Sequence, residues 1–213
     1  IMDSTAVYQI ALDTAVTINA ATTGLNALDT GTLAASTVYT VFVIGDPVDA
    51  NVTGCLLSLS ATAPLLPFGY SVFTKIGYVT TDASVHFLKG YWTAGNSTSR
   101  LFVYDAPILA LDNGAQTGYT GVALTAFVPA IADTPVILYS DYIANAAADV
   151  EALQGFNSTG DAVTIIAPVA GATAHTTSQN MVLAQLNSAA PSIKYKVSAG
   201  TLDLYVCSYQ FFI

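Results

Sequence analysis

Residues 201–212 read Thr-Leu-Asp-Leu-Tyr-Val-Cys-Ser-Tyr-Gln-Phe-Phe. Apolar residues alternate with polar or amphipathic ones at the start of this stretch, and aromatic residues dominate its end. A period of two places every second side chain on the same face of an extended chain. Valine and the aromatic residues are also the ones that strands favour. The stretch therefore predicts a long β-strand.

Similar runs recur along the chain. Residues 37–44 (Thr-Val-Tyr-Thr-Val-Phe-Val-Ile) and 135–143 (Pro-Val-Ile-Leu-Tyr-Ser-Asp-Tyr-Ile) are two further examples. Strands are predicted at 6–12, 15–20, 37–44, 54–60, 71–80, 85–91, 99–109, 121–127, 135–143, 162–166, 180–186, 192–197 and 201–212. Many short strands separated by Gly, Pro, Asn and Asp turns are typical of sandwiches and barrels. We expect an all-β protein, an antiparallel, jelly-roll-like β-sandwich.

Helix signals are sparse. Residues 143–153 (IANAAADVEAL) are rich in Ala and could form a helix, or equally a loop of small polar residues. Residues 31–36 could hold one helical turn. We expect little helix in the chain.

The length of 213 residues allows one large β-domain or two small ones. Residues 111–119 (LDNGAQTGY) follow a predicted strand and are dense in turn-forming residues. They predict a boundary between an N-terminal β-sandwich domain, residues 1–111, and a C-terminal β-sandwich lobe, residues 112–213. One long sandwich is the alternative.

The chain is short of charge. Charged residues make up 9% and hydrophobic residues 53%, whereas an average soluble domain carries about 25% charged residues. Ser, Thr, Asn and Gln must therefore supply much of the polar surface. Because exposed apolar area tends to be an interface, we expect an oligomer, with a monomer covered by a Thr-rich surface as the alternative.

The balance of charge excludes some partners. The net charge is −9, and the five basic residues are scattered; they are Lys75, Lys89, Arg100, Lys194 and Lys196. Nucleic acids and anionic membranes require clustered cations, so neither partner is expected. The sequence contains no apolar run long enough for a transmembrane helix, and Ile1–Thr5 resemble no signal peptide.

No metal or cofactor site is expected. His86 and His175 lack a second ligand at zinc-site spacing. Asp46 and Asp49 flank a turn, but the glycine and glutamate of a calcium loop are absent, which favours an ordinary turn. Cys55 and Cys207 each lie in a strand-like apolar run, and we expect two buried thiols rather than a disulfide.

No catalytic residue stands out either. Glu151 is the only glutamate among 14 acidic residues, and no carboxylate pair of the glycosidase kind can be singled out. The sequence has no nucleophile elbow and no glycine-rich phosphate loop. We therefore expect a protein without enzymatic activity.

Aromatic residues are the remaining informative class. The chain has 12 Tyr, 9 Phe and 1 Trp, and most of them are expected to fill a sandwich core. Tyr91 and Trp92 precede a polar loop, where an exposed aromatic rim could stack on a sugar ring or fill a partner's pocket. Tyr91, Trp92 and Asn96 are the candidate surface-binding residues.

Several sequence blocks occur in order over residues 5–110. They are GLNALDTG (24–31), ASTVY (35–39), VIGD (43–46), LLS (56–58), SATAP (60–64), LPFGY (66–70), IGYVTTD (76–82) and RLFVYD (100–105). Together they resemble a domain of bacteriophage and prophage virion proteins, in which the position of Val38 is usually Trp. The resemblance implies a tail-fibre segment, a head fibre or a capsid decoration protein, and it implies no catalytic residues.

Three functions follow as hypotheses. The first is a capsid decoration, cement or head-fibre protein on the virion, a homotrimer that contacts the major capsid protein or other virion proteins. The second is a tail-fibre or receptor-binding module that recognises a host surface glycan. The third, a depolymerase acting on cell-surface glycan, is disfavoured because no catalytic site is visible.

Overall fold

The structure is a computed structural model that describes residues 15–49, 52–93, 99–130, 135–143, 149–155, 163–168, 175–183, 185–187, 190–197 and 200–212. Its strands are β1 (Asn19–Thr23), β2 (Ala27–Leu28), β3 (Val38–Gly45), β4 (Thr53–Ser58), β5 (Val72–Thr80), β6 (Gly90–Thr93), β7 (Ser99–Gly114), β8 (Thr120–Ala123), β9 (Pro135–Ile143), β10 (Asp149–Gly155), β11 (Val163–Pro168), β12 (His175–Leu183), β13 (Gln185–Asn187), β14 (Ala190–Val197) and β15 (Thr201–Phe212).

The described residues contain strands and turns but no helix, which confirms the all-β prediction. Accordingly, none of them forms a helix that is long and apolar enough to cross a membrane. The helical alternative for residues 143–153 is wrong, because β9 ends at Ile143 and β10 begins at Asp149. Residues 31–36 form no helical turn, and a positive φ at Gly31 and at Ser36 marks turns there.

The chain forms two compact units, residues 1–88 and 89–212. The boundary predicted at residue 111 falls instead inside β7, which runs without interruption from Ser99 to Gly114. The turn residues Asp112, Asn113 and Gly114 belong to that strand, and Asn113 adopts the left-handed φ that turn residues tolerate.

Unit 1 (residues 1–88) is built on one five-stranded sheet in the order β1-β2-β4-β3-β5. β3 pairs antiparallel with β4 and β5, whereas β2 pairs parallel with β1 and β4. β3 is buried along nearly its whole length. Its apolar run, interrupted only by the buried Thr40, is what a strand needs when both faces are covered. The parallel pairs were not foreseen in a sheet predicted to be antiparallel.

The connection between β4 and β5 crosses one face of this sheet. Phe42, Ile44 and Leu56 form a fully buried cluster on that face. Leu66 and Tyr70 of the connection pack against the cluster, together with Phe73 of β5. The packing places the start of the connection, after Ser58, and its end, before Val72, at opposite ends of the sheet.

Polar side chains from the sequence blocks hold the connections of unit 1. The carboxylate of Asp29 accepts hydrogen bonds from the Ser58 hydroxyl at 2.6 Å and from the Leu65 N–H at 3.0 Å. The Asn26 side chain accepts the Cys55 N–H at 2.9 Å. These bonds fix the chain before β2, and the connection after β4, to the sheet.

A second set of bonds closes the segment before β3. The Tyr39 hydroxyl accepts the Ala34 N–H at 2.8 Å. The buried Thr81 hydroxyl donates to the Ala34 carbonyl at 2.6 Å and accepts the Thr37 N–H at 3.0 Å. Thr81 therefore holds the segment before β3 in place through these hydrogen bonds.

Unit 2 (residues 89–212) contains two sheets. One has the order β12-β9-β15-β7-β6, and the other has the order β11-β10-β14-β13, with β8 also paired to β14. All these pairs are antiparallel. Leu202, Leu204 and Val206 of β15 are buried, as their alternation predicts. The ring of Tyr195, on β14, lies directly over Gly114, on β7.

A register shift interrupts the pairing of β7 with β15. Val206 pairs with Ile108, whereas Ser208 pairs with Val103. The extra residues of β7 therefore bulge at this point, and Pro107 lies among them. Proline has no N–H to donate, and a bulge is the place where a strand tolerates it.

Beyond the bulge the aromatic residues form one cluster. The Phe102 ring stacks on Tyr209 with centroids 5.2 Å apart and contacts Tyr104 edge-on at 5.1 Å. Tyr209 also contacts Phe211 at 6.1 Å. All four residues are buried, so the prediction of an aromatic core is met here.

Both cysteines are thiols rather than a disulfide, as predicted. Cys55 is buried, but Cys207 is only partly buried, which corrects the expectation for the second residue. Burial raises the pKa of the Cys55 thiol above its usual value. Cys55 is therefore a protonated core residue at neutral pH.

Candidate functional site

The predicted aromatic rim lies at the edge of a sheet. β6 is the last strand of its sheet and pairs with β7, with Tyr91 opposite Val103 and Trp92 opposite Phe102. The strand predicted at 85–91 lies further along the chain, at Gly90–Thr93. A turn closed by Asp82 and His86 occupies the first part of the predicted range. Phe87 then forms a single antiparallel bridge with Thr81, and β6 itself begins at Gly90.

Trp92 faces the core. Its ring contacts Phe102 with centroids 6.3 Å apart, and the side chain is largely covered. Its indole nitrogen is buried and has no hydrogen-bond partner among the described residues. Trp92 therefore anchors β6 to the aromatic cluster, and most of its ring is unavailable to a ligand.

Tyr91 faces the opposite way. Its side chain is 57% exposed. Successive side chains of a strand point to opposite faces, so Tyr91 and Trp92 do not share one surface. Asn96, the third candidate residue, lies outside the described residues.

Lys89 comes directly before β6 and two positions before Tyr91. Lys89 is exposed, and its carbonyl accepts the Asp105 N–H at 3.0 Å. Gly90, between the two, lies so close to β7 that an added Cβ would be 2.4 Å from the Val103 carbonyl oxygen and 2.7 Å from the Phe102 ring. These contacts fix the backbone on either side of Gly90.

Unit 1 carries a second exposed surface, which the sequence analysis missed. Val48 is 92% exposed, Phe68 is fully exposed and Leu25 is about half exposed. Val48 follows Asp46-Pro47 in the turn after β3, and the Asp46 carboxylate accepts its N–H at 2.8 Å. Phe68 is the second residue of a turn in which the Tyr70 N–H donates to the Pro67 carbonyl at 3.2 Å.

These residues project from the same end of the sheet. Gly45, the last residue of β3, pairs with Thr53 and with Val72, and its carbonyl accepts the Ser71 N–H. The turns that carry Val48 and Phe68 are therefore neighbours. Leu25 joins them, because its side chain packs over Gly54. We call Leu25, Val48 and Phe68 the apolar end.

A signal for this surface was present in the sequence. In Pro67-Phe68-Gly69-Tyr70, Gly69 has a φ of 89°, as a turn of this type requires at its third position. A side chain at the second position of such a turn points away from the chain. The sequence analysis expects most aromatic residues to fill the core and does not consider the position of Phe68 in this turn.

The turn after β5 carries Asp82 and His86. The pKa of Asp82 is lowered, chiefly because its carboxylate accepts the His86 N–H, and also by the Ser84 N–H. The His86 ring nitrogen Nδ1 lies 3.6 Å from the carboxylate. Val85, within this turn, has a φ of 65°, which is strained for a β-branched residue. Among the described residues, no three His, Cys, Asp or Glu side chains come together as a metal site.

No protein-family model matches the chain, and no curated protein matches it. Among solved structures, a carbohydrate-binding module (CBM6cm-2) from Cellvibrio mixtus lichenase 5A, in complex with cellotriose, is similar at 19% sequence identity. The match covers 57% of this chain and 84% of the module, with a TM-score of 0.24. A likeness at that TM-score supports no argument about the function of this chain.

Proposed function

We propose that this chain is a structural protein of a bacteriophage virion, a capsid decoration (cement) or head-fibre protein without enzymatic activity. One observation carries the proposal, the apolar end of unit 1. Turns closed by hydrogen bonds hold Val48 and Phe68 in water. Clustered apolar side chains that remain exposed are characteristic of surfaces that bind other proteins.

The sequence blocks that resemble virion proteins support the same reading. Asn26, Asp29, Tyr39 and Thr81, which belong to these blocks, tie connections to the sheet. These residues act in the scaffold of unit 1, because their side chains hold its connections. A scaffold that presents turns at one end suits a protein whose task is contact with neighbours.

The partners proposed are the major capsid protein or another virion protein, and further copies of the chain in a homotrimer. The low content of charged residues, 9%, favours surfaces that are covered in an assembly. The proposed location is therefore the virion surface, on the capsid or the tail.

The test is the copy number of the chain in purified particles, measured by quantitative mass spectrometry against the major capsid protein. A decoration protein is expected at a number that matches one class of capsid lattice sites. Absence from particles that are otherwise complete would contradict the proposal. A few copies per particle would remove the cement role and leave a fibre role.

A second candidate function is a tail-fibre or receptor-binding module that recognises a host surface glycan. The exposure of Tyr91 at the edge of a sheet favours it, because an exposed aromatic ring can stack on a sugar. The test is binding of the Tyr91→Ala protein to host cells, with Tyr119→Ala, a ring already covered by Lys196, as the control. Equal binding by Tyr91→Ala and the parent would exclude this site.

A further inference from the structure

We propose that Lys75 keeps the outer edge of β5 from pairing with β5 of a second copy of this chain. The outer edge is the side of β5 that faces away from β3. The inference goes beyond the virion role and does not depend on it, because it concerns how the purified chain associates with itself.

β5 is a long strand at the end of its sheet. It runs over nine residues, from Val72 to Thr80. Among the described strands, β3 alone pairs with it. At the end of β5, the Thr80 carbonyl also accepts the Leu88 N–H at 2.8 Å. The backbone groups of residues 72–79 that point away from β3 are therefore available to a further strand, and a long edge of this kind promotes association between chains.

The composition of β5 favours such pairing. The strand reads Val-Phe-Thr-Lys-Ile-Gly-Tyr-Val-Thr, which is rich in β-branched and aromatic residues and contains no Pro, Asp or Glu. Segments of high β-propensity and low charge associate through strand pairing. Lys75 is the only charged residue between Asp49 and Asp82. Its charge is therefore the one feature of composition that opposes pairing at this edge.

A bulge fixes the position of the Lys75 side chain. Neighbouring residues of β3 pair with Lys75 and with Gly77, which leaves Ile76 as an extra residue in β5. Residues three apart in a regular strand lie on opposite faces, but the extra residue places Lys75 and Tyr78 on the same face. The Lys75 ammonium group accordingly donates to the Tyr78 hydroxyl at 3.1 Å and lies 5.3 Å from the centre of that ring. A lysine and a bulge are two of the means by which natural proteins protect edge strands.

This arrangement makes the addition of a strand unfavourable. Lys75 is already partly buried, and among the described residues no carboxylate lies within ion-pair distance of it. A strand added beside β5 removes more water from an ammonium group that has no anionic partner, and this costs free energy.

The charge also opposes a symmetric pair. When two copies of β5 pair antiparallel over their whole length, a two-fold axis passes through the middle residue, Ile76, and the same surface is used on both copies. The two Lys75 side chains then come close together on one face of the joined sheet. Like charges at an interface oppose association.

The test is Lys75→Met in the full chain, with the size of the protein measured by mass photometry over a range of concentrations. Methionine keeps much of the length of the side chain and removes its charge. The concentration at which species larger than the parent appear is expected to fall by about tenfold or more. Hydrogen exchange locates the contact, because amides of residues 72–79 should exchange more slowly in the associated variant than in the parent.

Two variants control for charge. Lys75→Arg keeps the cation and should have the size of the parent. Lys89→Met removes an exposed lysine of unit 2 and changes the net charge by the same amount. It should therefore also leave the size unchanged.

Lys75→Gln separates strand pairing from misfolding. It removes the charge but keeps a hydrogen-bond donor for the Tyr78 hydroxyl. We expect it to associate as Lys75→Met does, with the thermal midpoint of the parent.

The inference is overturned if both neutral variants, Lys75→Met and Lys75→Gln, keep the size of the parent at every concentration. It is equally overturned by an association that leaves exchange at residues 72–79 unchanged, or that Lys75→Arg or Lys89→Met shows to the same extent. None of these results bears on the copy number in particles, which tests the proposed function.

Discussion

At the scale of single residues, a few polar side chains decide how the connections of unit 1 run. Asp29 receives two hydrogen bonds from the β4–β5 connection, one from Ser58 and one from Leu65. Asn26, with a φ of 55°, turns the chain and also receives the Cys55 N–H. The path of these connections thus depends on hydrogen-bond acceptors that the alternation of apolar and polar residues does not predict.

Asp29→Ala is expected to lower the free energy of unfolding by about 1–3 kcal/mol, because it leaves the Ser58 hydroxyl and the Leu65 N–H without their acceptor. Chemical denaturation followed by circular dichroism measures the change. Asp112→Ala, at an exposed site, is the matched control and should change stability by less than about 0.5 kcal/mol. Equal effects for both would show that the hydrogen bonds from Ser58 and Leu65 to Asp29 do not stabilise the fold.

Gly90→Ala is expected to destabilise unit 2 by about 1–3 kcal/mol, because the new Cβ would overlap the Val103 carbonyl oxygen and the Phe102 ring. Gly121→Ala is the control, since no atom lies within 4 Å of the Cβ position there. Fluorescence of Trp92, the only tryptophan, reports the loss of its contact with Phe102. If the two variants have the same melting temperature, Gly90 does not pack closely against Val103 and Phe102.

The Asp82 carboxyl should titrate below its ordinary value of 3.8, because the N–H groups of His86 and Ser84 stabilise the charged form. A depressed pKa in the folded state means that the group stabilises the fold above its unfolded pKa, and that this contribution is lost as pH falls through the folded pKa. NMR titration of the side-chain carboxyl measures the value directly. A pKa at or above 3.8 would contradict the hydrogen bonds of this turn.

At the scale of elements, β15 is the central strand of one of the two sheets of unit 2. It pairs with β9 on one side and with β7 on the other, and its Leu202, Leu204 and Val206 are fully buried. The alternation of residues 201–206 was enough to predict the strand and its buried face. The bulge at Pro107 was not predicted. The register of β7 against β15 depends on both strands, whereas the alternation of apolar residues describes one strand alone.

Other elements escaped the sequence pattern for identifiable reasons. β10, with sequence DVEALQG, contains Ala, Glu and Leu, which favour helices; pairing with β11 and β14 overrides that preference. β2 was missed because it is only two residues long. The strand predicted at 15–20 overlaps β1, which lies at Asn19–Thr23. The apolar end was missed because turn geometry, and not hydrophobicity, exposes Phe68.

Hydrogen exchange should separate the elements of unit 2. Backbone amides of β15 are expected to be the slowest to exchange, since the strand is paired on both sides, whereas β6, paired with β7 at the edge of the sheet, should exchange earlier. Mass spectrometry of peptides that cover residues 90–93 and 201–212 gives the comparison. Protection of β6 as long as that of β15 would contradict the assigned strand order.

At the scale of the whole molecule, the chain is two β units that carry different surfaces. Unit 1 exposes apolar side chains beside aspartates, and unit 2 exposes Lys89 beside Tyr91. The all-β class and the scarcity of charge were accessible from sequence alone. The division after residue 88 could not be predicted from the sequence, because the pairing of the strands, and not the local composition, separates the two units.

The central claim is that this chain belongs to the surface of a virion. Cryo-electron microscopy of particles with and without the chain tests it most directly, through a difference map between the two reconstructions. We predict difference density the size of this chain at regular positions on the outside of the capsid or tail, in contact with the shell or a fibre. Reconstructions that are identical within noise, although the protein is made in the producing cell, would contradict the claim.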